Sequence, residues 1–464
     1  MPENRKTRMA RIGMMVVAVL ASATATAAAQ TPGSSETALG FWERLGDTTL
    51  ARLTAEALRA NHDVQVAQAR VRRARAVRAE ARLDLFPTVT VAGGYTRQRL
   101  SAAQFGVEVP ERGLWETELR ASWELDLFGR VRKNLRGQSA LTESAREEVR
   151  EMGRLVAAEL AAAYYDLRGA QDQLQVARRN AQNQQRTLQL TKDRQDGGRG
   201  NAFDTERAQA QVSGTLALIP ALESRIAGAQ HRIGVLVGRE PGALAAELGT
   251  VCTDEEPEQL CSLPALPEEV LPAPIDSVIQ SRPDVLAAER RLAAEKAFVG
   301  AARADYLPRF SVGGTAGFTS TGFDGVGKSG SGRYAVGPMI SWPAFNLGRV
   351  KAGVDAARAL EAEARARHEQ TVLLAREELR TALVAYAKAR ERLTRLAEAA
   401  AASDRAAELA RIRFRGGVSD FLQVLDAERS LLAAQDELAR GRTDAVTALV
   451  AVYRAVGAGR AVEG

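Results

Sequence analysis

The chain has 464 residues, of which 45% are apolar, 26% charged and only 5% aromatic. The formal charge of +6 is a small excess among 63 basic and 57 acidic residues. It alternates in sign along the chain, as in Glu361, Glu363, Arg365 and Arg367. A nucleic-acid surface would instead cluster Lys and Arg among aromatics, so that class is set aside. Few aromatics with abundant Ala, Leu, Arg and Glu point to long helices.

The N-terminus carries Arg5, Lys6, Arg8 and Arg11, then an apolar run over 12–20 and an alanine-rich stretch ending Ala27-Ala28-Ala29. This is the layout of a secretory signal peptide over 1–29, too short to span a bilayer. The other reading of the pattern is a basic amphipathic anchor. No cysteine follows the small residues, so no lipid anchor is expected on the exported chain. No later apolar run reaches about 18 residues, so no transmembrane helix is expected.

The rest is written twice, with anchors about 220 residues apart. His62-Asp63-Val64 leads through an Ala/Arg-rich stretch to Leu85-Phe86-Pro87. Pro283-Asp284-Val285 leads likewise to Tyr306-Leu307-Pro308. Trp123 with Phe128-Gly129-Arg130-Val131 is echoed by Trp342 with Leu347-Gly348-Arg349-Val350. Arg194 and Gly197-Gly198 pair with Arg413 and Gly416-Gly417. The expected layout is a first repeat over 30–250, a connector over 251–274 and a second repeat over 275–464. Each repeat reads as a helix, two strands (88–97 and 115–127; 309–318 and 334–342) and a helical hairpin (131–238; 348–456). Two strands cannot bury a sheet by themselves, so the duplication implies assembly.

Over 115–127 alternation is complete: Trp115, Thr117, Leu119, Ala121, Trp123, Leu125 and Leu127 share one face. Glu116, Glu118, Arg120, Ser122, Glu124 and Asp126 share the other. A tilted transmembrane strand needs about 9–11 residues, and tryptophans near strand ends suit interfacial girdles. Glu116, Glu118, Arg120, Glu124 and Asp126 are therefore expected to face a water-filled lumen. A soluble half-buried sheet would alternate in the same way. Four strands cannot close a barrel, so if they span a membrane several chains must pool them; three chains would supply about twelve.

The hairpins show heptads: Leu160, Leu167, Leu174, Ala181 and Leu188, then Val424, Leu431, Leu438, Ala445 and Val452. Such repeats predict left-handed supercoiling. The proline-free stretches 131–194 and 350–415 are each long enough for a helix of roughly 90–100 Å. Gly197-Gly198 and Gly416-Gly417 read as helix ends from which a second helix returns, and Pro220 should kink the first return helix.

Cys252 and Cys261 lie in the acidic, proline-bearing connector. In an oxidising compartment they are candidates for a local disulfide; zinc would need two more ligands, and no histidine is near. His62, His231 and His368 sit on separate helical stretches and form no metal set. The segment 322–329 fits G-x-x-x-x-G-K-[ST] through Lys328 and Ser329. A phosphate-binding loop needs a helix after it, whereas here another strand follows, so a loop between two strands is expected.

Several segments together strongly resemble the outer-membrane factor family, the TolC-like and OprM-like efflux ducts of NodT type. They are Phe41-Trp42 with Ala57-Leu58 and Asn61, Trp123 through Arg130, Ser281-Arg282-Pro283-Asp284-Val285, Ala301 through Pro308, and Val424-Leu425-Asp426-Ala427. The resemblance implies a mainly α protein with a membrane β-barrel: a homotrimer with one twelve-stranded outer-membrane barrel on a periplasmic α-barrel. It also implies a periplasmic membrane-fusion adaptor touching the hairpin tips (Gly197, Gly198, Gly416, Gly417), an inner-membrane pump, and neither catalytic site nor cofactor. Carried over by motif, the periplasmic gate falls on Leu422, Asp426 and Asp204. The family's tyrosine, whose hydroxyl bonds a neighbouring aspartate, is replaced by Phe414. The alternative readings are a periplasmic coiled-coil adaptor or scaffold, which would be soluble without detergent, and a nucleotide-using enzyme resting on 322–329 alone.

Overall fold

The computed structural model describes residues 47–457 except 100, 102, 104–105, 107–109, 199, 250–262, 269 and 271–273. The signal segment, Phe41-Trp42, Cys252 and Cys261 lie outside the described residues. The first repeat runs α1 (Thr48–Ala60), α2 (His62–Leu83), β1 (Thr88–Gln98), β2 (Arg112–Glu124), α3 (Arg130–Asp196), α4 (Ala202–Leu216) and α5 (Leu218–Leu236). A short α6 (Ala245–Leu248) leads to the second repeat: α7 (Ile275–Ser281), α8 (Pro283–Ala304), β3 (Arg309–Ser320), β4 (Gly332–Ser341), α9 (Leu347–Arg415) and α10 (Phe421–Val456). No described helix is long and apolar enough to cross a membrane.

The long helices follow from proline-free, salt-bridged sequence. The 67 residues of α3 and 69 of α9 span roughly 100 Å each at about 1.5 Å per residue. On α9, Glu361 pairs with Arg365 at 3.0 Å and Glu363 with Arg367 at 2.6 Å, contacts worth a few tenths of a kcal/mol apiece. The return helix of the first hairpin breaks at Ala217. Pro220 lacks the amide that would bond the carbonyl of residue 216, which is the expected cause of the break.

The sheet is antiparallel in the order β1-β2-β3-β4. Its register runs Val91↔Leu119↔Ala316↔Tyr334 across all four strands. The strand expected over 115–127 is shifted by three residues at both ends: β2 is Arg112–Glu124. Leu125 makes a last bond to the Phe310 carbonyl, and Asp126 then turns left-handed at φ 46°. Its carboxylate accepts from the amides of Val131 (2.9 Å) and Arg132 (3.0 Å), so it starts α3. Alternation continued past the strand in sequence, but two open helix-end amides claimed the aspartate.

The two repeats close in matching ways. Asn61 Nδ2 donates to the Leu236 carbonyl at 2.9 Å, and its counterpart Arg282 donates through Nη1 to the Ala455 carbonyl at 2.7 Å. Each ties the start of a short helix to the end of the returning one. Gly238 (φ 76°) and Gly457 (φ 66°) terminate those returning helices.

The first heptad series is buried throughout; Leu160, Leu167 and Leu174 are the most enclosed. In the second series Leu438 is half-buried and the other four positions are buried. Burial is nonetheless unequal. Twenty-seven residues of α3 are buried but only nine of α9. The reason is that α3 packs against α2, α4 and α5 and also against α8 and α10, whereas α9 packs chiefly against α8 and α10.

Close helix approach depends on missing side chains. A Cβ on Gly169 would stand 2.0 Å from Thr443 Oγ1, and one on Gly137 would stand 2.2 Å from the Phe298 ring. Gly169→Ala should therefore destabilise the protein by about 1–3 kcal/mol despite its better helix propensity. Thermal unfolding in detergent reads this, and pairing it with Thr443→Gly should recover most of the loss.

Candidate functional site

The sheet separates polar from apolar residues by pleat. One face carries Glu116, Glu118, Arg120 and Glu124, and the register adds Arg333 opposite Gly317 and Glu118. Arg333 lies 3.2 Å from Glu118 and 3.6 Å from Glu116, and Arg120 reaches Glu118 at 2.6 Å. Arg130 grips Glu124 through two bonds of 3.1 and 2.7 Å. The opposite face carries Val91, Leu119, Tyr334, Val336 and Ile340, all at least half exposed. Asp126 does not join the charged face: it is 8% exposed, enclosed by the helix start that it caps.

Tryptophans fix the sheet to the helices. Trp123 Nε1 donates to the Leu85 carbonyl at 2.9 Å, and Trp342 Nε1 to the Tyr306 carbonyl at 3.0 Å. Each indole keeps its ring on the apolar face while satisfying its one donor at the base of the neighbouring strand. At the other end, Trp115 packs between Tyr95 (4.8 Å) and Phe323 (5.1 Å). The 322–329 segment is the loop between β3 and β4. Lys328 there pairs with Asp324 at 3.2 Å, and no helix N-terminus follows to hold a phosphate.

The far ends of the hairpins are built from left-handed glycines and caps. Gly198 (φ 69°) and Gly417 (φ 73°) adopt the backbone that ends a helix at no steric cost. Gly197 and Gly416 bond back to the Asp193 and Ile412 carbonyls. The returning helices are capped by Asn201, which accepts from the Asp204 amide, and by Asp420, which accepts from Gln423. Behind them Leu188, Ala208, Val212, Phe414, Phe421, Val424 and Leu425 form a small core. Phe414 is buried there, 5.7 Å from the Phe421 ring, with the Arg194 guanidinium 4.3 Å above it. Leu422 and Asp426, one helical turn apart, are exposed, and Asp204 is half-buried.

This chain matches the outer membrane efflux protein family over residues 53–239 and 275–458, one segment in each repeat. The chain belongs to that family. It is 30% identical over 447 residues to the outer membrane protein OprJ of Pseudomonas aeruginosa, covering 93% of this chain and 89% of OprJ. It is also 30% identical to the toluene efflux pump outer membrane protein TtgF of Pseudomonas putida, covering 89% and 84%. Among solved structures it superposes on the outer-membrane channel OprN with TM-score 0.83 and 38% identity, over 94% and 97% of the two chains. The open-state channel MtrE of Neisseria gonorrhoeae gives TM-score 0.77 at 26% identity, over 88% and 89%. This outer membrane efflux protein is thus an outer-membrane channel protein with a large periplasmic helical portion.

Two polar groups of this efflux protein went unread in its sequence. Glu428 is buried at the tip, accepting from Thr187 Oγ1 and Arg411 Nε, each at 3.0 Å. A carboxylate in the apolar stripe of Val424, Leu425 and Leu431 was the available signal. The second group centres on Arg282, where α8 begins. It bonds Asp284 and Glu378 at 2.8 Å each, and Arg454 reaches Glu378 at 2.9 Å. Arg154 of α3 donates to the Arg454 carbonyl. An open groove of about 620 Å³ runs beside this clamp between α3 and α9. Among the described residues no His/Cys/Asp/Glu group could hold a metal ion.

Burial of the clamp carboxyls pushes their pKa values up. Hydrogen bonds and charge from Arg282 outweigh that, so Asp284 and Glu378 are held below their ordinary range. Their stabilising contribution is complete above the unfolded values of about 3.9 and 4.3, and is lost as pH falls through the depressed folded ones. Arg282→Ala should cost about 1–3 kcal/mol at neutral pH, because it removes the buried guanidinium that pairs half-buried Asp284 and leaves half-buried Glu378 only Arg454. Below about pH 4 the melting temperature of the parent should fall towards that of the variant, a convergence that a pH series of thermal melts measures.

Proposed function

We propose that three copies of this chain close head to tail into one exit duct. Twelve strands form its outer-membrane barrel, and the helical hairpins form its periplasmic barrel. The duct is passive: a periplasmic adaptor docks at the hairpin tips, and an inner-membrane pump drives small molecules through it. One observation carries the assembly. Within the chain α3 is covered on both flanks, once by its own repeat and once by the next, whereas its counterpart α9 is covered on one.

Applying the internal repeat once more supplies what is missing. The next copy's α2 and α5 would lie on α9 as α8 and α10 lie on α3, and its β1 would pair with β4 as β3 pairs with β2. The surfaces suit this. Leu373 and Val384 of α9 are each 64% exposed, and on the opposite flank Val66 and Val235 are 50% and 47% exposed. The same step satisfies the open edges of β1 and β4, which hydrocarbon does not tolerate. Mass measurement in detergent should give three copies. A stable monomer with native β-content would refute the ring.

In that barrel Glu116, Glu118, Arg120 and Glu124 line the lumen while Leu119 faces lipid. A basic residue at mid-bilayer on the lipid face costs about 2–4 kcal/mol, so this orientation is strongly preferred. Spin labels at 118 and 119 should divide between water-soluble and lipid-soluble relaxation agents; the reverse division would exchange the two faces.

At the periplasmic tip Leu422 and Asp426, with Asp204 on the partner hairpin, form the resting constriction, and Gly197, Gly198, Gly416 and Gly417 meet the adaptor. A ring of like carboxylates recruits cations, and a ring of leucines resists wetting. Phe414 acts as packing inside the tip. Asp426→Ala should reduce cation block of single-channel current, and Leu422→Ser should raise resting conductance. Intact trimers unchanged in both respects would move the gate elsewhere.

A further inference from the structure

Where the first repeat hands over to the second, the corner after β2 sits on the hinge that leads into β3. A crevice there is lined by Glu124, Asp126, Phe128, Arg130, Ala304 and Pro308. The contact is closed: Ala304 is 6% exposed, and the Phe128 and Phe310 rings lie 6.2 Å apart. It is also polar, with Arg130 and Glu124 paired at 2.7 Å.

The repeat maps this joint onto a second one, which the chain holds as two uncovered halves. Its corner is Pro343, Phe345 and Leu347 after β4; its hinge is Leu83, Pro87 and Val89 before and within β1. Phe345, which the repeat aligns with Asp126 in sequence, is 107% exposed, and Leu83, aligned with Ala304, is 67% exposed. The corner is ordered despite its exposure. Asn346 donates to the Pro343 carbonyl at 2.8 Å, and Trp342 is held by the Tyr306 carbonyl at 3.0 Å. A built turn that presents a bare aromatic ring is an anchor without its pocket.

We propose that Phe345, flanked by Leu347, seats against Leu83 and Pro87 of the next copy, so that polar joints within chains alternate with apolar joints between them. This contact rests on the trimeric ring proposed for the duct and supplies one of its joints. A second copy is the occupant because β4 must abut the next copy's β1, and Thr88, the first residue of β1, follows Pro87 directly. The strand pairing that closes the barrel therefore brings corner and hinge together.

The test uses the full chain with Cys252→Ser and Cys261→Ser, carrying Leu83→Cys with Phe345→Cys, or Val89→Cys with Leu347→Cys. A short thiol-to-thiol cross-linker applied to outer membranes should give covalent dimers and trimers from each pair and monomers from each single variant. Phe345→Ser should shorten the lifetime of trimers in warm dodecyl sulfate at least tenfold, and Phe345→Leu should restore most of it. Trimers of normal mass that cross-link in neither pair would overturn the contact while leaving the ring intact. A nitroxide at 345 freely relaxed by oxygen in such trimers would name lipid as the occupant and would equally overturn the contact. A parent protein that is monomeric would remove ring and contact together.

Discussion

Hydrocarbon offers no partner to a free amide or carbonyl, and the described residues bring four strands to it. Much of the molecule is arranged around that shortage. The base of the four-stranded sheet is fastened where the helices lead into the strands. The two indole bonds, Trp123 to Leu85 and Trp342 to Tyr306, do this once per repeat. The pleat then sorts charge from hydrocarbon, and Arg333 and Arg120 leave the carboxylates of their face paired rather than bare.

The same logic extends along the helices. A duplicated chain could have been symmetric, yet α3 buries three times as many residues as α9. Position explains this, since α3 has a repeat on either side and α9 has one. Substitutions between the repeats follow position too. Gly137 admits the Phe298 ring at a covered site, whereas its counterpart is Ala356. Arg154, buried in the clamp, is matched by exposed Leu373. Matching long helices carry different surfaces according to what covers them.

The middle of the helical portion and its hairpin tips differ in kind. Around Arg282, midway along α3 and α9, the helices are pinned by a charged network centred on one buried guanidinium. At the tip the packing is thin: two glycine turns, two side-chain caps and a small core around Phe414 and Phe421. The helices are thus held more firmly midway along their length than at the hairpin turns.

Much of this was legible in the chain. Period 2 marked the strands, period 7 the hairpin cores, paired glycines the turns and a span of about 220 residues the duplication, because each is a local consequence of backbone geometry. The charged face of β2 could be read from alternation alone. The end of that strand could not, because Asp126 satisfies the alternation and the helix cap equally well, and only the position of the Val131 and Arg132 amides decides between them. Arg333 was invisible as a partner of Glu116 and Glu118, since the register that joins them crosses two strands and both repeats. Phe414 read as a gate position by motif, yet three-dimensional packing places its ring inside the tip. Sequence by itself determined the elements, their order and their duplication. Tertiary structure alone decided which equivalent surfaces are covered, because covering depends on neighbours that lie hundreds of residues away or on another copy.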